Sequence, residues 1–252
     1  MFSLCIPTMN RFDTYLRGYL EKYLNNPLIS EIVITDENGN DVQKIKQTFP
    51  DNNKLKLHVN EKRLGPFLNK IKACKLATNT WIALIDSDNF ADIDYFNKAN
   101  EFIEKHNPPK NSIISPCYAS ETFNFNHFST INGEYTKLNK ENFNKLKNIE
   151  LQNKNSGCMN HILNIGNYIL NKFVINTIDL TQESELIKNS HSFDVILMNY
   201  MFFTQLDVQF YIVNGLKYNH VISNDSVYLS HISKQHQYAK VAYAKMYQYF
   251  KQ

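Results

Sequence analysis

Two aspartates separated by a single serine, Asp86 and Asp88, have the residue type and spacing of a site for a metal ion and a phosphate. Residues 81–85 before them form a short apolar run, which is typical of a buried parallel strand. Ligands of open α/β sheets bind outside the carboxyl ends of the strands, and side chains two residues apart on a strand share a face. We therefore expect both carboxylates to face one crevice.

Two carboxylates this close repel each other unless a cation lies near them. Mg²⁺ and Mn²⁺ are hard divalent cations that prefer oxygen ligands, so either would relieve this repulsion and would also bind phosphate oxygens. Because Asp-x-Asp is a short and common pattern, it is equally compatible with an acidic loop that follows a core strand.

The composition indicates one compact α/β domain and excludes several classes of protein. The chain has 252 residues, 43% of them hydrophobic, and a formal net charge of +3. Lysine and arginine form no separate block, so we expect no nucleic-acid partner. The four cysteines are too widely spaced for a zinc site or a disulfide framework and suit a reducing compartment. The N-terminus reads as a strand rather than a signal peptide, and no apolar run reaches the roughly 20 residues of a membrane span. A soluble, cytoplasmic protein is therefore expected.

Strands alternate with helices at βαβ spacing up to about residue 115, which predicts a mostly parallel, doubly wound sheet. The predicted elements in this part are strands at 2–6, 29–35, 55–60, 81–85 and near 113–114, and helices at 15–24, 42–49 (with Asp41 as N-cap), 67–77 and 93–105. Beyond residue 115 the pattern loosens. The predicted elements there are an edge strand at 123–128, a polar helix or loop at 139–154, helices at 171–178, 192–204 and 234–251, and a strand at 208–213.

Two glycine-rich nucleotide-binding motifs are absent from the sequence. It contains neither G-x-G-x-x-G nor G-x-x-x-x-G-K-[ST], and only seven glycines in all. A nucleotide bound by this sheet must therefore be held by side chains and a metal ion.

Four motifs in the first hundred residues carry a resemblance to a known family. They are Ile6-Pro7-Thr8-Met9-Asn10-Arg11, Ile32-Val33-Ile34-Thr35-Asp36, Arg63-Leu64-Gly65-Pro66-Phe67-Leu68-Asn69-Lys70 and Ile85-Asp86-Ser87-Asp88. In this order, each after its own strand, they resemble the GT-A fold of nucleotide-sugar glycosyltransferases, and within it the family 2-like enzymes. The resemblance implies a mostly parallel, doubly wound α/β sheet with helices on both faces and a smaller acceptor-side extension. It also implies one domain over 1–252, with a nucleotide-sugar-binding half at 1–115 and an acceptor-binding half at 116–252.

The resemblance implies donor contacts after the first two strands. Pro7, Thr8 and Arg11 would lie along the base and ribose, and Asp36 would hydrogen-bond the base. The alternative for Asp36 is an ordinary aspartate at a strand-to-turn junction.

The diphosphate and the metal ion would be bound after the third and fourth strands. Arg63 and Lys70 would face the diphosphate, or alternatively be solvated. Asp86 would contact the ribose or a metal-bound water, and Asp88 would bind the metal. The sequence departs from the family at Leu-Asn-Lys, where many members have Ala-Arg-Asn, and at Asn89, which replaces a third acid.

The second half is expected to provide the acceptor side and the base. Gly166 and Asn167 resemble the small-residue segment that lines the acceptor cleft, and Asp194 lies where family 2-like enzymes carry the general base. An aspartate in the first turn of a helix is also a common dipole or capping choice. His220 resembles a late histidine that returns to the metal, and His231 is the competing candidate.

These features together predict a metal-dependent, inverting glycosyltransferase with Mn²⁺ or Mg²⁺ as cofactor. The expected donor is a nucleotide-diphosphate sugar, with UDP as the nucleotide, and the expected acceptor is a hydroxyl on a glycan or protein. Two alternatives are a sugar-phosphate nucleotidyltransferase and a non-catalytic relative that binds nucleotide sugar.

Overall fold

A nine-stranded mixed sheet forms the centre of the molecule in the computed structural model, which describes residues 1–120, 123–124, 133–152, 158–221 and 227–252. The strands are β1 Phe2–Thr8, β2 Ile29–Asp36, β3 Leu55–Val59, β4 Trp81–Leu84, β5 Ser112–Ser120, β6 Phe123–Asn124, β7 Tyr135–Leu138, β8 Ile169–Asn171 and β9 Gln209–Asn219. The helices are α1 Arg17–Leu24, α2 Asn40–Thr48, α3 Pro66–Leu76, α4 Ile93–His106, α5 Lys140–Gln152, α6 Cys158–Leu163, α7 Lys172–Thr177, α8 Ser184–Lys188, α9 Asp194–Leu206 and α10 Val227–Lys251. A short π-helical segment, Phe12–Leu16, precedes α1.

The strand order is β3-β2-β1-β4-β8-β5-β9-β7, with β6 paired to β5. β1 to β5 and β9 run in one direction, whereas β6, β7 and β8 run the other way. The carboxyl ends of β1, β2 and β4 therefore meet at one edge of the sheet, where ligands of such sheets bind. The predicted α/β class with a mostly parallel sheet is confirmed.

Helices cover both faces of the sheet and bury two apolar layers. On α3, Phe67, Ile71 and Cys74 are all buried in one layer, as the predicted apolar face of this helix requires. Leu20 of α1 and Phe96 of α4 belong to the layer on the other face. Among the described residues, no helix is both long and apolar enough to cross a bilayer.

The strand β8 lies at the centre of the sheet, although the sequence did not indicate it. Its three residues, Ile169–Asn171, insert antiparallel between β4 and β5. A run of three residues is too short to show a hydrophobic periodicity, and its strand conformation comes from the two neighbouring strands that pair with it.

The predicted polar segment at 139–154 contains α5, on which Phe143 and Leu146 are buried. Part of the predicted edge strand at 123–128 lies outside the described residues.

The N-cap of α2 is Gly39, so the prediction of Asp41 was wrong. Gly39 has φ +84°, a left-handed conformation that glycine adopts without strain. Asp41 lies instead in the first turn of α2 and is fully buried. Its carboxylate accepts hydrogen bonds from residues outside this helix.

A buried carboxylate at the opposite edge of the sheet joins β1, β2 and the segment just before β4. Glu31 in β2 accepts hydrogen bonds from Ser3 Oγ (2.5 Å), Thr78 N (2.5 Å) and Thr78 Oγ1 (2.8 Å). Burial alone would raise the pKa of Glu31, but these hydrogen bonds to the charged form outweigh burial and lower the pKa. The strand that leads to Asp86 is thereby fixed at its beginning.

We predict that Glu31→Gln reduces the acid sensitivity of folding. Because the pKa of Glu31 is lower in the folded than in the unfolded chain, its stabilisation is complete above its unfolded pKa of about 4.3 and is lost as the pH falls. Urea unfolding between pH 6 and pH 3 should therefore give a shallower fall in free energy for the variant than for the wild type. The exposed Glu21→Gln is the control, and parallel curves for wild type and E31Q would contradict the prediction.

Candidate active site

A buried lysine joins two of the predicted site carboxylates. Lys70 Nζ lies 2.7 Å from Asp86 Oδ1 and 2.7 Å from Asp194 Oδ2, and the Lys70 side chain is 7% exposed. Burial lowers the pKa of Lys70, but the negative charges of Asp194 and Asp86 outweigh burial and raise the pKa above its usual value, so the amine is protonated. Three residues predicted separately from the sequence thus meet at one ion-pair cluster.

Three elements position this cluster. Lys70 lies on α3, just past the turn that begins at Pro66, and the buried face of this helix packs on the sheet. Asp86 follows β4, whose end is held in the sheet by the hydrogen bond from Ile85 N to Cys5 O (3.0 Å). Asp194 is the first residue of α9, after an N-cap without a side-chain hydrogen bond. Asp194 is therefore not the N-cap, and its carboxylate pairs with Lys70.

Asn167 holds Asp86 from the other side. Its Oδ1 accepts a hydrogen bond from Asp86 N (2.6 Å), and its Nδ2 lies 3.5 Å from Asp86 Oδ2. Asn167 itself has φ +55°, and its carbonyl accepts a hydrogen bond from the buried Tyr95 hydroxyl (2.7 Å). The residue predicted for the acceptor side therefore contacts the carboxylate predicted for the donor side.

Gly166 makes a close approach to α9, where any larger residue would require the Val195 side chain to shift by a few tenths of an ångström. A Cβ atom at this position would lie 3.0 Å from Cγ2 of Val195, the residue after Asp194. Residues 166–167 thus lie next to both carboxylates of the cluster: Gly166 lies beside the start of α9, which carries Asp194, and Asn167 contacts Asp86.

Asp88 lies half-buried near Asp86. Burial and the charge of Asp86 raise the pKa of Asp88 to about 6, although the charge of Arg11 opposes the shift. An ionised carboxylate at this place therefore lacks sufficient positive charge around it. Within the described residues, no three histidine, cysteine, aspartate or glutamate side chains form a preassembled metal site.

The end of β9 brings His220 toward the same loop. Phe90 and Asn219 exchange backbone hydrogen bonds (3.0 and 2.8 Å), and Val221 N donates to Asn89 Oδ1 (3.0 Å). Burial lowers the pKa of His220, and the charge of Asp86 opposes this only in part, so the ring is neutral at pH 7. The side chain of His231 lies outside the described residues.

The loop after β1 is fixed by Asp41, which is the site residue that sequence reasoning missed. Its carboxylate accepts hydrogen bonds from Thr8 Oγ1 (2.5 Å), Arg11 N (2.9 Å) and Phe12 N (2.9 Å). Asp41 thus places two residues predicted to contact the donor. A first-turn aspartate gives no sign in the sequence that its partners lie on another loop.

The remaining predicted donor residues lie around this edge. Pro7 is buried in β1 opposite Thr35. Asp36 is fully buried, and its carboxylate accepts hydrogen bonds from the backbone amides of Asn38 (3.2 Å) and Val42 (3.0 Å). Its contact with a base stays a prediction.

Arg63 lines a cleft of about 370 Å³ between the loop before α3 and the loop before α9, and none of the three residues of the ion-pair cluster lines this cleft. Gly65, Lys188 and His191 also line this cleft. The diphosphate contact predicted for Arg63 is not tested by this arrangement.

Comparison with known proteins supports the fold and identifies the family whose pattern this chain carries. Residues 3–163 match the sequence model of Glycosyl transferase family 2. A search of curated proteins found no match.

Solved structures of TarS from S. aureus are similar in fold. TarS 1-349 in complex with UDP-GlcNAc aligns with TM-score 0.69 and 14% identity over 97% of this chain and 66% of that chain. TarS 1-349 in complex with UDP aligns with TM-score 0.63 and 15% identity, over 96% and 64% of the two chains. A longer TarS structure aligns with TM-score 0.61 and 16% identity, over 90% and 38%. The chain therefore spans just under two thirds of TarS 1-349.

We predict that Asp41→Ala destabilises the fold strongly. The substitution leaves three hydrogen-bond donors, one at the end of β1 and two in the loop after it, without their buried acceptor, at a cost of about 3–5 kcal/mol. The exposed Asp13→Ala, which removes an ion pair with Lys44, should change stability by less than about 1 kcal/mol. Chemical denaturation of both variants provides the comparison, and similar losses would show that Asp41 does not anchor this loop.

Proposed function

This chain belongs to Glycosyl transferase family 2, and from that premise we propose that it transfers a sugar from a nucleotide-diphosphate donor to an acceptor hydroxyl. The observation that carries the proposal is the ion-pair cluster, in which the carboxylate after β4 and the carboxylate at the start of α9 share the Lys70 ammonium. A donor-side acid and a general base must be close together for a sugar to pass from one substrate to the other.

We propose that the donor is a UDP-sugar. The support is the likeness in fold to TarS, whose structures contain UDP-GlcNAc and UDP. The donor would lie across the carboxyl ends of β1, β2 and β4, the edge at which Thr8, Asp36 and Asp86 are found. The acceptor would be a hydroxyl group of a glycan or a protein.

In the proposed reaction Asp194 acts as the general base. Its carboxylate takes the proton of the acceptor hydroxyl while the acceptor oxygen forms a bond to the anomeric carbon. The bond from that carbon to the diphosphate oxygen breaks, and the nucleoside diphosphate leaves with the electron pair. Attack on the face opposite the leaving group inverts the configuration at the anomeric carbon. The Lys70 ammonium lies 2.7 Å from Asp194 Oδ2 and holds the carboxylate at the start of α9.

We also propose that the site uses Mn²⁺ or Mg²⁺. The raised pKa of Asp88, caused by burial and by Asp86, indicates a place where added positive charge is favourable. Asp88 and the neutral His220 would hold the ion, with Asp86 close to it, and this set of oxygen and nitrogen ligands suits Mn²⁺. When bound, the cation supplies positive charge beside the diphosphate oxygens of the donor.

The two alternative functions have less support. A nucleotidyltransferase needs a glycine-rich loop after the first strand whose amides stay open to phosphate. Here the amides of Arg11 and Phe12 donate to Asp41 instead. A non-catalytic role is disfavoured because the Asp194 carboxylate that a transferase needs is retained and paired with a cation.

We predict that Asp194→Asn abolishes transfer without preventing donor binding. The amide cannot accept the proton, so kcat should fall by about 100- to 10,000-fold. The affinity for UDP, measured by calorimetry, should change by less than about threefold, because the proposed role of Asp194 is on the acceptor side. The exposed Asp51→Asn is the matched control. Unchanged turnover by D194N would remove Asp194 from the mechanism.

We predict that Asp88→Asn removes the effect of Mn²⁺ on UDP binding. A ligand that binds only the folded state raises the melting temperature. UDP with Mn²⁺ should therefore raise the melting temperature of the wild type more than UDP alone, whereas D88N should respond equally to both. The exposed Asp94→Asn should behave like the wild type. A retained manganese effect in D88N would argue against Asp88 as a metal ligand.

A further inference from the structure

We propose that Lys70 is a positioning residue for the base, which holds the Asp194 carboxylate in place and joins it to Asp86, and that Lys70 does not bind the diphosphate of the donor. This inference rests on the proposed function, because it assigns Asp194 the role of base. It replaces the diphosphate contact that the sequence predicted for Lys70.

The contacts of the Lys70 ammonium are the first evidence for this role. An ammonium has three N–H donors and no acceptor, and the Lys70 nitrogen lies 2.7 Å from a carboxylate oxygen of Asp86 and 2.7 Å from one of Asp194. The side chain is 7% exposed and two of its three donors face carboxylates, so the nitrogen offers a diphosphate at most one N–H while both pairs are closed. A diphosphate could make a second hydrogen bond to it only if one of these pairs opened. Breaking a buried pair costs several kcal/mol, because it leaves an uncompensated charge.

The two carboxylates do not depend equally on Lys70. Asp86 is also held by Asn167, which accepts from its backbone amide at 2.6 Å and lies 3.5 Å from its second oxygen. For Asp194 the ion pair to Lys70 is the one salt bridge found within the described part of the chain. Loss of the lysine should therefore displace Asp194 much more than Asp86.

The position of Lys70 on a rigid helix explains why it suits this role. Phe67, Ile71 and Cys74 bury the neighbouring face of α3 against the sheet, so the stem of the lysine begins at a fixed point. Functional groups held by packed elements keep their geometry to a fraction of an ångström, which loops do not ensure. A displacement of the base by about 1 Å is enough to slow a reaction by about 100-fold.

The test compares Lys70→Met, Lys70→Arg and the exposed Lys75→Met on the same helix. The readouts are kcat, KM and the UDP affinity from calorimetry. We expect K70M to lose about 100-fold in kcat, with UDP affinity and donor KM within about threefold of the wild type. K70R should recover part of the lost kcat because it keeps the charge, and K75M should match the wild type.

Two results would overturn the assignment. A tenfold or greater loss of UDP affinity in K70M would identify Lys70 as a diphosphate ligand. A kcat within about threefold of the wild type, at unchanged affinity, would mean that the base does not need Lys70. If K70M does not fold, Lys70→Gln replaces it, since glutamine removes the charge and keeps a hydrogen-bond donor.

If the proposed function itself is wrong, the experiments give a different set of results. A wild-type protein that binds UDP but neither transfers nor hydrolyses any sugar donor would refute the transferase activity alone. The role of Lys70 is then decided by a crystal structure of K70M. Asp194 moved from its wild-type position, with Asp86 still on Asn167, supports the inference, and an unmoved Asp194 overturns it.

Discussion

A single buried ammonium between two carboxylates is the interaction around which the site is built. Lys70 contacts Asp86 on one side and Asp194 on the other, each at 2.7 Å. A lysine can stay protonated when buried only if negative charge compensates for its lost hydration, and two acids can lie this close only with a cation between them. Each of the three residues therefore makes the burial of the other two possible, and the three elements that carry them are joined.

The same edge of the sheet is ordered throughout by polar side chains that accept backbone hydrogen bonds. Asp41 fixes the loop after β1, Asn167 fixes Asp86 after β4, and Asn89 fixes the backbone after β9. In many nucleotide-binding proteins, glycine-rich loops instead leave backbone amides open to phosphate. Here the amides after β1 are already satisfied by Asp41, so a donor bound as proposed at this edge would be held by side chains. This agrees with a chain that has only seven glycines.

Local sequence patterns determined most of the fold. The alternation of apolar strands and amphipathic helices up to residue 115 predicted the parallel part of the sheet, because strand and helix periods are properties of neighbouring residues. The apolar face of α3 and the buried α9 followed in the same way. The Asp86–Asp88 pair and Asp194 could also be named as candidate site residues, since residue type and position at the end of a strand or the start of a helix are visible in the sequence.

Tertiary structure alone decided which of these residues meet. The partners of Lys70 come from the residues after β4 and from α9, and those of Asp41 from the last residue of β1 and the loop after it. Pairings between distant segments depend on how whole elements pack, and no local period encodes them. For the same reason the three-residue strand β8 is visible only in the structure, where it pairs with β4 and β5. The sequence by itself thus determined the elements and the chemical groups, and packing decided that Lys70 faces two acids and that Asn167 supports Asp86.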